Sequence, residues 1–297
     1  MRRLRYPVLA AVLVVSWSSG FVGVRFATDS AGVAQVLFWR SLLSGVFLLP
    51  VALRVGPRIT LATIRDQASY AVLGMFLYLG GFALAIERGV PTGLVALMAD
   101  LVPLAIAVLS GPVLGQRLSR RQWLGMVVGF GGVLVVSADA VRLGDAPIWA
   151  YVLPAIAMVS FAVSIVWQEH RHDQPTTIPQ RLSLQCLAAA VMFAPFAAAT
   201  GGLAPPRTAQ FAFGMVWLVV VATYGAWLTY YFLLRRYPAA RVTSTIYLSP
   251  PLTMVWAWAM FDDPLSVAMA VGSVITLAGV ALVASSGEAE PETIAAP

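Results

Sequence analysis

Two residues of opposite charge, Arg40 and Asp100, stand inside apolar stretches of the sequence. Arg40 comes about seven residues into its stretch and Asp100 about nine, so as helical residues they would differ in depth by only about 3 Å. An unpaired charge inside a membrane costs about 3 kcal/mol or more, so we expect the two residues to pair or to line a wet cavity. There Asp100 would carry a proton or cation, or bind an ammonium group, with Arg40 modulating it. Alternatively, Arg40 reaches the outer interface and forms at most a static salt bridge.

Prolines stand inside two further apolar stretches, at Pro103 and at Pro250-Pro251. Proline removes a backbone donor and clashes with the carbonyl four residues earlier, which would free the carbonyls of Ala99 and Ile246. In lipid, such groups must be satisfied by protein or by cavity water. We expect either two broken helices that line a central cavity or two ordinary kinks without ligand contact.

Aromatic and hydroxyl side chains recur along one face of several apolar stretches. A cavity for an amphiphilic metabolite favours this mixture, although core packing and the interfacial aromatic belt also use it. Tyr78 and Tyr224 lie too far from the ends of their stretches for the belt. Besides the two charges, the candidate cavity residues are Trp17, Ser18, Tyr78, Pro103, Ser164, Trp167, Tyr224, Trp227, Tyr247 and Pro250.

The composition indicates an integral membrane protein. Of the 297 residues, 60% are hydrophobic and 11% are charged, whereas soluble domains carry about 25% charged residues. The net charge of +6 does not indicate nucleic-acid binding, because the arginines stand between apolar stretches. Since a bilayer-crossing helix takes about 20 apolar residues, we predict an all-α polytopic protein with ten transmembrane helices. They cover 7–26, 33–53, 69–87, 91–114, 121–138, 147–167, 182–200, 212–233, 239–261 and 265–285.

The arginines also predict the orientation in the membrane. With ten spans, 14 arginines fall on one side and four on the other. Because cytoplasmic loops carry the excess of Arg and Lys, we expect both termini in the cytoplasm. The polar segment 286–297 is expected to be a disordered cytoplasmic tail.

The sequence repeats itself after 147 residues. Pro103 then meets Pro250, and Gly125 meets Gly272, among a dozen matches in one register without gaps. We therefore predict two repeats of five helices, at 1–138 and 147–285.

An odd number of helices per repeat places the second repeat upside down in the membrane. The charges follow this inversion, since the arginine-rich turn after the fourth helix is matched by Asp262-Asp263 after the ninth. Many secondary transporters are built from such inverted repeats.

Glycines at near-helical spacing mark the fifth and tenth helices. Gly125 and Gly129 are four residues apart, a spacing that allows close helix–helix approach. We expect Gly125, Gly129, Gly132, Gly272 and Gly279 to pack helices together, either within the bundle or across a homodimer.

Sequence motifs of enzymes and ATP-driven pumps are missing. The chain has no P-loop, no GxSxG elbow and no HExxH, and His170-Arg171-His172 lacks a third metal ligand. We expect no metal, cofactor or catalytic residue. The alternative function is a membrane-embedded enzyme or flippase for lipids or lipid-linked sugars; a receptor is disfavoured by the short loops.

The whole chain resembles the EamA-type permeases of the drug/metabolite transporter superfamily. The resemblance rests on WSSGFVGVRFA in helix 1, FWRSLL at the start of helix 2, and residues 91–136 and 238–283. One departure is Gln116, where the family pattern has Glu after Leu-Gly. The resemblance implies export or exchange of a small metabolite across the inner membrane by alternating access.

Substrate and coupling are constrained only by the two buried charges. Because Asp100 and Arg40 alone could pair with a charged substrate in the core, a zwitterion or cation, such as an amino acid or amine, is favoured. If transport is coupled, H⁺ carried by Asp100 is the favoured ion; an uncoupled facilitator fits equally well.

Overall fold

The structure, a computed structural model, describes residues 2–114, 119–143, 146–171, 175–234, 236–237, 242 and 245–284. These residues form helices and connecting turns, with no β-strand among them, which confirms the all-α class. The first half contains α1 (Arg2–Thr28), α2 (Val33–Arg54), α3 (Leu61–Glu87), α4 in two parts (Thr92–Ala99 and Val102–Leu114) and α5 (Arg120–Leu143). The second half contains α6 (Ile148–Arg171), α7 (Ile178–Thr200), α8 (Ala209–Val216, Trp217–Gly225 and Ala226–Leu234), α9 (Ser249–Phe261) and α10 (Val267–Ala284).

The described helices confirm a polytopic membrane protein. Eight of them, α1 to α8, are long and apolar enough to cross a membrane, and α10 is a shorter apolar helix. The predicted stretches match these helices closely, except at the third and the ninth. Of the predicted ninth stretch, 239–261, the structure describes the helix Ser249–Phe261 after a turn at 247–248. Residues 239–241 and 243–244 lie outside the described residues, as do Gln116, His172 and the tail 286–297.

The third helix begins at Leu61, eight residues before the predicted start at 69. Its start is set by a capping box, in which the Thr60 hydroxyl accepts the backbone N–H of Thr63 at 3.2 Å and the Thr63 hydroxyl accepts that of Thr60 at 3.3 Å. Caps of this kind satisfy backbone donors that the first helical turn leaves free. The helix therefore begins in a polar segment that hydropathy alone assigns to the loop.

The two halves interlock through equivalent helices. The most extensive contacts join α2 to α7 and α5 to α10, each a pair of corresponding helices. In addition, α1 packs on α8 and α9, and α6 packs on α3 and α4. Because each contact has a counterpart in the other half, the packing has the two-fold character expected of related repeats; the boundaries 1–138 and 147–285 stay a prediction.

Irregular helix segments recur at the same positions in both halves. A π-helical segment covers Val72–Leu77 in α3, and a shift of 147 places it at 219–224, inside the π-helical segment Trp217–Gly225 of α8. Likewise, α4 is broken by a turn at Asp100–Leu101, and the same shift gives the turn at Tyr247–Leu248 before α9. π-Helical segments and broken helices are common at functional sites in helical proteins.

The glycines of α5 and α10 pack against each other within one chain. A methyl group added to Gly125 would come within 2.6 Å of the Gly279 carbonyl oxygen. The Thr276 hydroxyl donates to the carbonyls of Gly272 at 2.9 Å and Gly129 at 3.3 Å. The predicted packing within the bundle is confirmed, and the glycines need no second copy of the chain to explain them.

Candidate functional site

Asp100 ends the first part of α4 and lies in the break of that helix. Pro103 follows as the second residue of the next part, a position at which proline is tolerated because the N–H it lacks would have no helical partner. Pro250 holds the same position in α9. The predicted interruption of both helices is confirmed, and it places a carboxyl group on the irregular backbone of α4.

The Asp100 carboxyl group is buried and incompletely paired. The residue is 7% exposed, and its Oδ2 atom has no hydrogen-bond partner among the described residues. The expected pairing with Arg40 is not formed: the ion pair that the described residues contain is Arg65–Asp66 at 3.8 Å. A buried carboxyl oxygen without a partner is costly, so Asp100 is a candidate for contact with a ligand.

Arg40 lies on α2 near Cys186 of α7 and Tyr78 of α3. Arg40 is nevertheless partly accessible, as a side chain that lines a cavity would be.

Tyr78 lies near both charged residues, Arg40 and Asp100. The ring is fixed by Phe161 at 4.4 Å and Phe82 at 4.8 Å between ring centroids. The two phenylalanines therefore hold the Tyr78 ring in place beside both charged residues.

Electrostatic contacts extend from these residues into the second half of the chain. Tyr247 interacts with Asp100 and Tyr230, and Tyr224 interacts with Cys186. We call the connected residues the central polar cluster; it comprises Arg40, Tyr78, Asp100, Cys186, Tyr224, Tyr230 and Tyr247. Both halves contribute, and three members lie on irregular backbone: Asp100 in the break of α4, Tyr224 in the π-helical segment of α8 and Tyr247 in the turn before α9.

An aromatic wall adjoins the central polar cluster at Tyr230. Trp17 of α1 lies 5.6 Å from Trp227 and 6.0 Å from Tyr230, measured between ring centroids. Trp227 and Tyr230 are 6.1 Å apart. The two predicted tryptophans thus come together with a tyrosine that the sequence analysis did not select, although its spacing of three residues from Trp227 on a helix was a signal.

Three other predicted residues use their side chains to hold helices together. Ser18 donates to the Val14 carbonyl at 2.7 Å and contacts the Ser249 hydroxyl at 3.1 Å, which fastens α1 to α9 beside Pro250. Ser164 donates to the Tyr70 carbonyl at 3.1 Å, and Trp167 packs edge-on against the Tyr70 ring at 5.2 Å. Among the cavities lined by described residues, one of about 200 Å³ lies between α4 and α6. Its lining is mostly apolar: Leu109, Val113, Val163, Val166, Trp167 and His170.

A glutamine network joins α3, α6 and α7 and was missed in the sequence. Gln185 donates to Gln67 at 2.8 Å and to Gln168 at 3.4 Å, and Gln168 donates to the Ser164 hydroxyl at 3.2 Å. Amide side chains bridge membrane helices in this way because lipid offers them no partners. The network ties the two halves together beside the central polar cluster.

Buried polar atoms without hydrogen-bond partners lie on the helices around the cluster. Among the described residues they are Ser44 Oγ, Thr253 Oγ1 and Arg25 Nε, in addition to Asp100 Oδ2. Ser44 follows Arg40 by four residues, so the two share a face of α2. Since buried polar atoms are almost always paired, these atoms are candidates for contact with water or a ligand.

Tyr224 fixes α8 to α2 at this face. Its hydroxyl donates to the Ser44 carbonyl at 2.6 Å, between helices from different halves. We expect Tyr224→Phe to lower the free energy of unfolding by about 1 kcal/mol, because the hydrogen bond is lost while the ring is kept. Thermal unfolding of the purified protein in detergent measures this. An unchanged Tyr224→Phe protein would contradict the assigned bond.

Comparisons with known proteins agree with this architecture. The model of the EamA-like transporter family matches residues 4–138 and 148–285. The chain is 24% identical over 270 residues to the uncharacterized inner membrane transporter YedA of Escherichia coli, covering 88% of this chain and 85% of that protein. It is 27% identical over 290 residues to a protein of Streptantibioticus cattleyicolor named "Probable terminal-alkyne amino-acid exporter", covering 95% and 94%. A further relative is an Escherichia coli protein named "Probable amino-acid metabolite efflux pump", 24% identical over 92% of both chains. One solved crystal structure has the same fold, with a TM-score of 0.61 at 18% identity over 96% of this chain and 98% of that chain.

Proposed function

The chain belongs to the EamA-like transporter family, and from this premise we propose that it is a secondary transporter that exports or exchanges a small metabolite of the amino-acid or amine type. The family is one of transporters and not of enzymes, and the relatives described above are named as transporters, an exporter and an efflux pump. The proposed site is the central polar cluster, near the middle of the membrane and between the two repeats. Rocking of the repeats about this site would expose it to each side in turn.

The observation that carries the proposal is the buried Asp100 in a helix break. Its Oδ2 atom has no hydrogen-bond partner among the described residues, and both halves supply the residues around it. A charge-bearing group in the membrane interior is expensive, and transporters use such groups for ions and substrates. The aromatic wall supports the proposal, because flat apolar surfaces beside a few polar groups suit an amphiphilic metabolite.

Transport is tested directly with inverted membrane vesicles and a panel of labelled amino acids, amines, nucleosides and cationic drugs. We expect accumulation of at least one amino acid or amine in vesicles that contain the protein, and none above background in vesicles that lack it. A panel without any transported compound would contradict the proposal.

We propose that H⁺ drives transport through Asp100. Its carboxyl group would bind either a proton or the ammonium group of the substrate, so that each leaves as the other arrives. This alternation follows from the cost of an ionised carboxylate without a partner in the bilayer.

The proposed orientation places both termini in the cytoplasm of a cell with the protein in its inner membrane. The inverted arrangement then puts the turn around Ser119 in the cytoplasm and the turn at Asp262–Ser266 outside. We expect reporter fusions at these two turns to give opposite results, with a cytoplasmic fluorescent reporter active at the first and a periplasmic phosphatase active at the second. Both turns on one side would contradict the inverted repeats and, with them, the alternating-access mechanism.

The competing function, a flippase for lipids or lipid-linked sugars, is favoured by one observation. The cavity of about 200 Å³ between α4 and α6 is apolar and includes Trp167 and His170. Fluorescent-lipid scrambling in proteoliposomes distinguishes the two functions. Lipid movement above that of empty liposomes, without metabolite transport, would favour the flippase.

A further inference from the structure

The first part of α4 takes its helix cap from the other half of the chain. The backbone N–H of Thr92, the first residue of the helix, donates to the Asp263 carboxylate at 2.9 Å, although 171 residues separate the two. Pro91, which precedes Thr92, makes no side-chain cap. The first N–H groups of a helix have no partner within it, and a carboxylate beside them is favourable. Asp263 therefore stabilises the start of α4 only while the loop after α9 lies against it.

Three other helices are capped by a residue of their own segment. Thr60 caps α3, Thr208 caps α8 and Ser266 caps α10, each through a hydroxyl that accepts the backbone N–H three residues later, at 3.0 to 3.2 Å. Such a cap forms together with its helix, whatever the arrangement of the two halves. The cap of α4 forms only when the two halves meet at this end of the bundle.

The same ends of α4 and α9 are packed without room for a solute. A methyl group added to Gly93 would lie 3.1 Å from the Met254 Cα atom and would overlap the Met254 side chain. The cavity beneath Asp263, which Leu94 and Ala257 also line, has a volume of about 10 Å³. A space of this size holds one water molecule at most. A metabolite cannot pass between α4 and α9 in this arrangement.

Arg25 of α1 adds a second connection at this end. Its Nη1 atom donates to the Ile86 carbonyl of α3 at 3.3 Å, and its guanidinium carbon lies 5.7 Å from the centre of the Phe261 ring of α9. A guanidinium is attracted to an aromatic face at such a distance. Since α1 and α3 belong to the first half and α9 to the second, this contact also joins the halves.

We propose that Asp263 holds a gate closed at this end of the transporter, the end that the proposed orientation places outside. The gate consists of the first part of α4 and the C-terminal half of α9, and its closed form has the hydrogen bond from Thr92 to Asp263. When this bond breaks, the first part of α4 moves away from α9 and opens a path towards the central polar cluster. This inference rests on the transport function proposed above and names the residue that stabilises one of its two states.

The short first part of α4 is suited to such a movement. It has eight residues, Thr92–Ala99, and the turn at Asp100–Leu101 separates it from the rest of α4. Hinges are commonly a few residues at the end of a helix that absorb the change in backbone angles. In the sequence, the repeat places Gln116 at the position that corresponds to Asp263, so a carboxylate at this repeat position belongs to the second half alone.

The test measures how fast a cysteine behind the gate reacts with a water-soluble maleimide. The reporter is Leu94→Cys, because Leu94 is 1% exposed and lines the small cavity beneath Asp263. The purified full chain is placed in lipid nanodiscs, where the reagent reaches both faces, so the result does not depend on orientation. Mass spectrometry locates the label, so the native Cys186 stays in place. We expect Asp263→Ala to raise the labelling rate about 5-fold, the factor by which loss of a helix cap shifts an equilibrium.

Matched variants control this experiment. Asp29→Ala makes the same change in the exposed turn after α1 and should leave the labelling rate unaltered. Gly93→Ala separates α4 from α9 by crowding Met254 and should raise the rate, whereas Gly131→Ala, with nothing within 4 Å, should not. If Asp263→Ala does not fold, Asp263→Asn replaces it. Asparagine keeps the shape and loses the charge, so we expect a smaller increase.

Each outcome supports or overturns the gate when labelling is measured well below the unfolding temperature of every variant. Unchanged labelling in the Asp263 variants, with or without a lower unfolding temperature, would show that Asp263 is a structural cap only. An increase in Gly93→Ala alone would likewise overturn the role of Asp263. Labelling needs no substrate, so these results are independent of transport. Absence of transport by the unchanged protein would contradict the proposed function itself.

Discussion

Asp100→Asn is expected to abolish transport driven by a pH gradient while the protein still folds. Asparagine has nearly the shape of aspartic acid but cannot take up or release a proton. The substitution also removes a buried group whose ionised form has no partner at Oδ2. Replacing a poorly paired buried charge by a neutral group is commonly neutral or stabilising, so the unfolding temperature should be unchanged or higher.

The measurement uses proteoliposomes with an imposed pH gradient, followed by exchange at equal pH on both sides. We expect the gradient to have no effect on Asp100→Asn, whereas Asp29→Asn, in the exposed turn after α1, should keep the full response. A normal response in Asp100→Asn would rule out the coupling role of this residue and favour an uncoupled facilitator. An unfolding temperature equal to or above that of the unchanged protein would show that the loss of gradient dependence is a defect of binding at Asp100 and not of folding.

The sequence predicted the membrane spans and the helix breaks because each depends on local chemistry. Long apolar runs cannot remain in water, and Pro103 and Pro250 cannot continue a helix through their own positions. The shift of 147 residues also predicted equivalent irregularities, and the turns at Asp100–Leu101 and Tyr247–Leu248 agree with it.

Contacts between distant helices were much less accessible. In the sequence, Ser18 and Ser164 look like cavity residues. In the structure each hydrogen-bonds to another helix, Ser18 to Ser249 and Ser164 to Tyr70. The glutamines of α3, α6 and α7 looked like isolated interruptions of apolar runs, because only the fold brings them together. The sequence could not decide whether Arg40 pairs with Asp100 for the same reason. A similar depth in two helices does not determine how each helix is rotated about its axis, and so which way each side chain faces.

The π-helical segment of α8 changes helical periodicity in a way that the sequence does not show. Its wider turns, over Trp217–Gly225, shift the phase between Tyr224 and the residues that follow the segment. Trp227 and Tyr230 lie beyond it, three residues apart in regular helix, and both meet Trp17. Apolar composition contains no signal for such a segment, although its occurrence in both repeats suggests that the fold requires it.

Gly132→Ala is expected to destabilise the protein strongly, whereas the same change at the neighbouring Gly131 is not. A methyl group on Gly132 would lie 2.6 Å from the backbone nitrogen of Thr276 in α10, and helix backbone cannot move aside as a side chain can. Overpacking of this kind costs about 3 kcal/mol or more where the backbone must shift. At Gly131 nothing lies within 4 Å, so alanine adds helix propensity of about 0.5 to 1 kcal/mol without a clash.

The two variants add the same methyl group at neighbouring positions of α5, and of the two only Gly132 faces α10. Their difference in stability therefore measures the contact between α5 and α10. The measurements are thermal unfolding and size-exclusion chromatography, both in detergent. We expect a lower unfolding temperature for Gly132→Ala, and for Gly131→Ala one equal to or above that of the unchanged protein. Because α5 and α10 are corresponding helices of the two halves, Gly132→Ala would weaken the packing between the repeats. Equal stability of the two variants would mean that the helices do not approach as closely as described, and that the repeats are held together elsewhere, through α2 and α7.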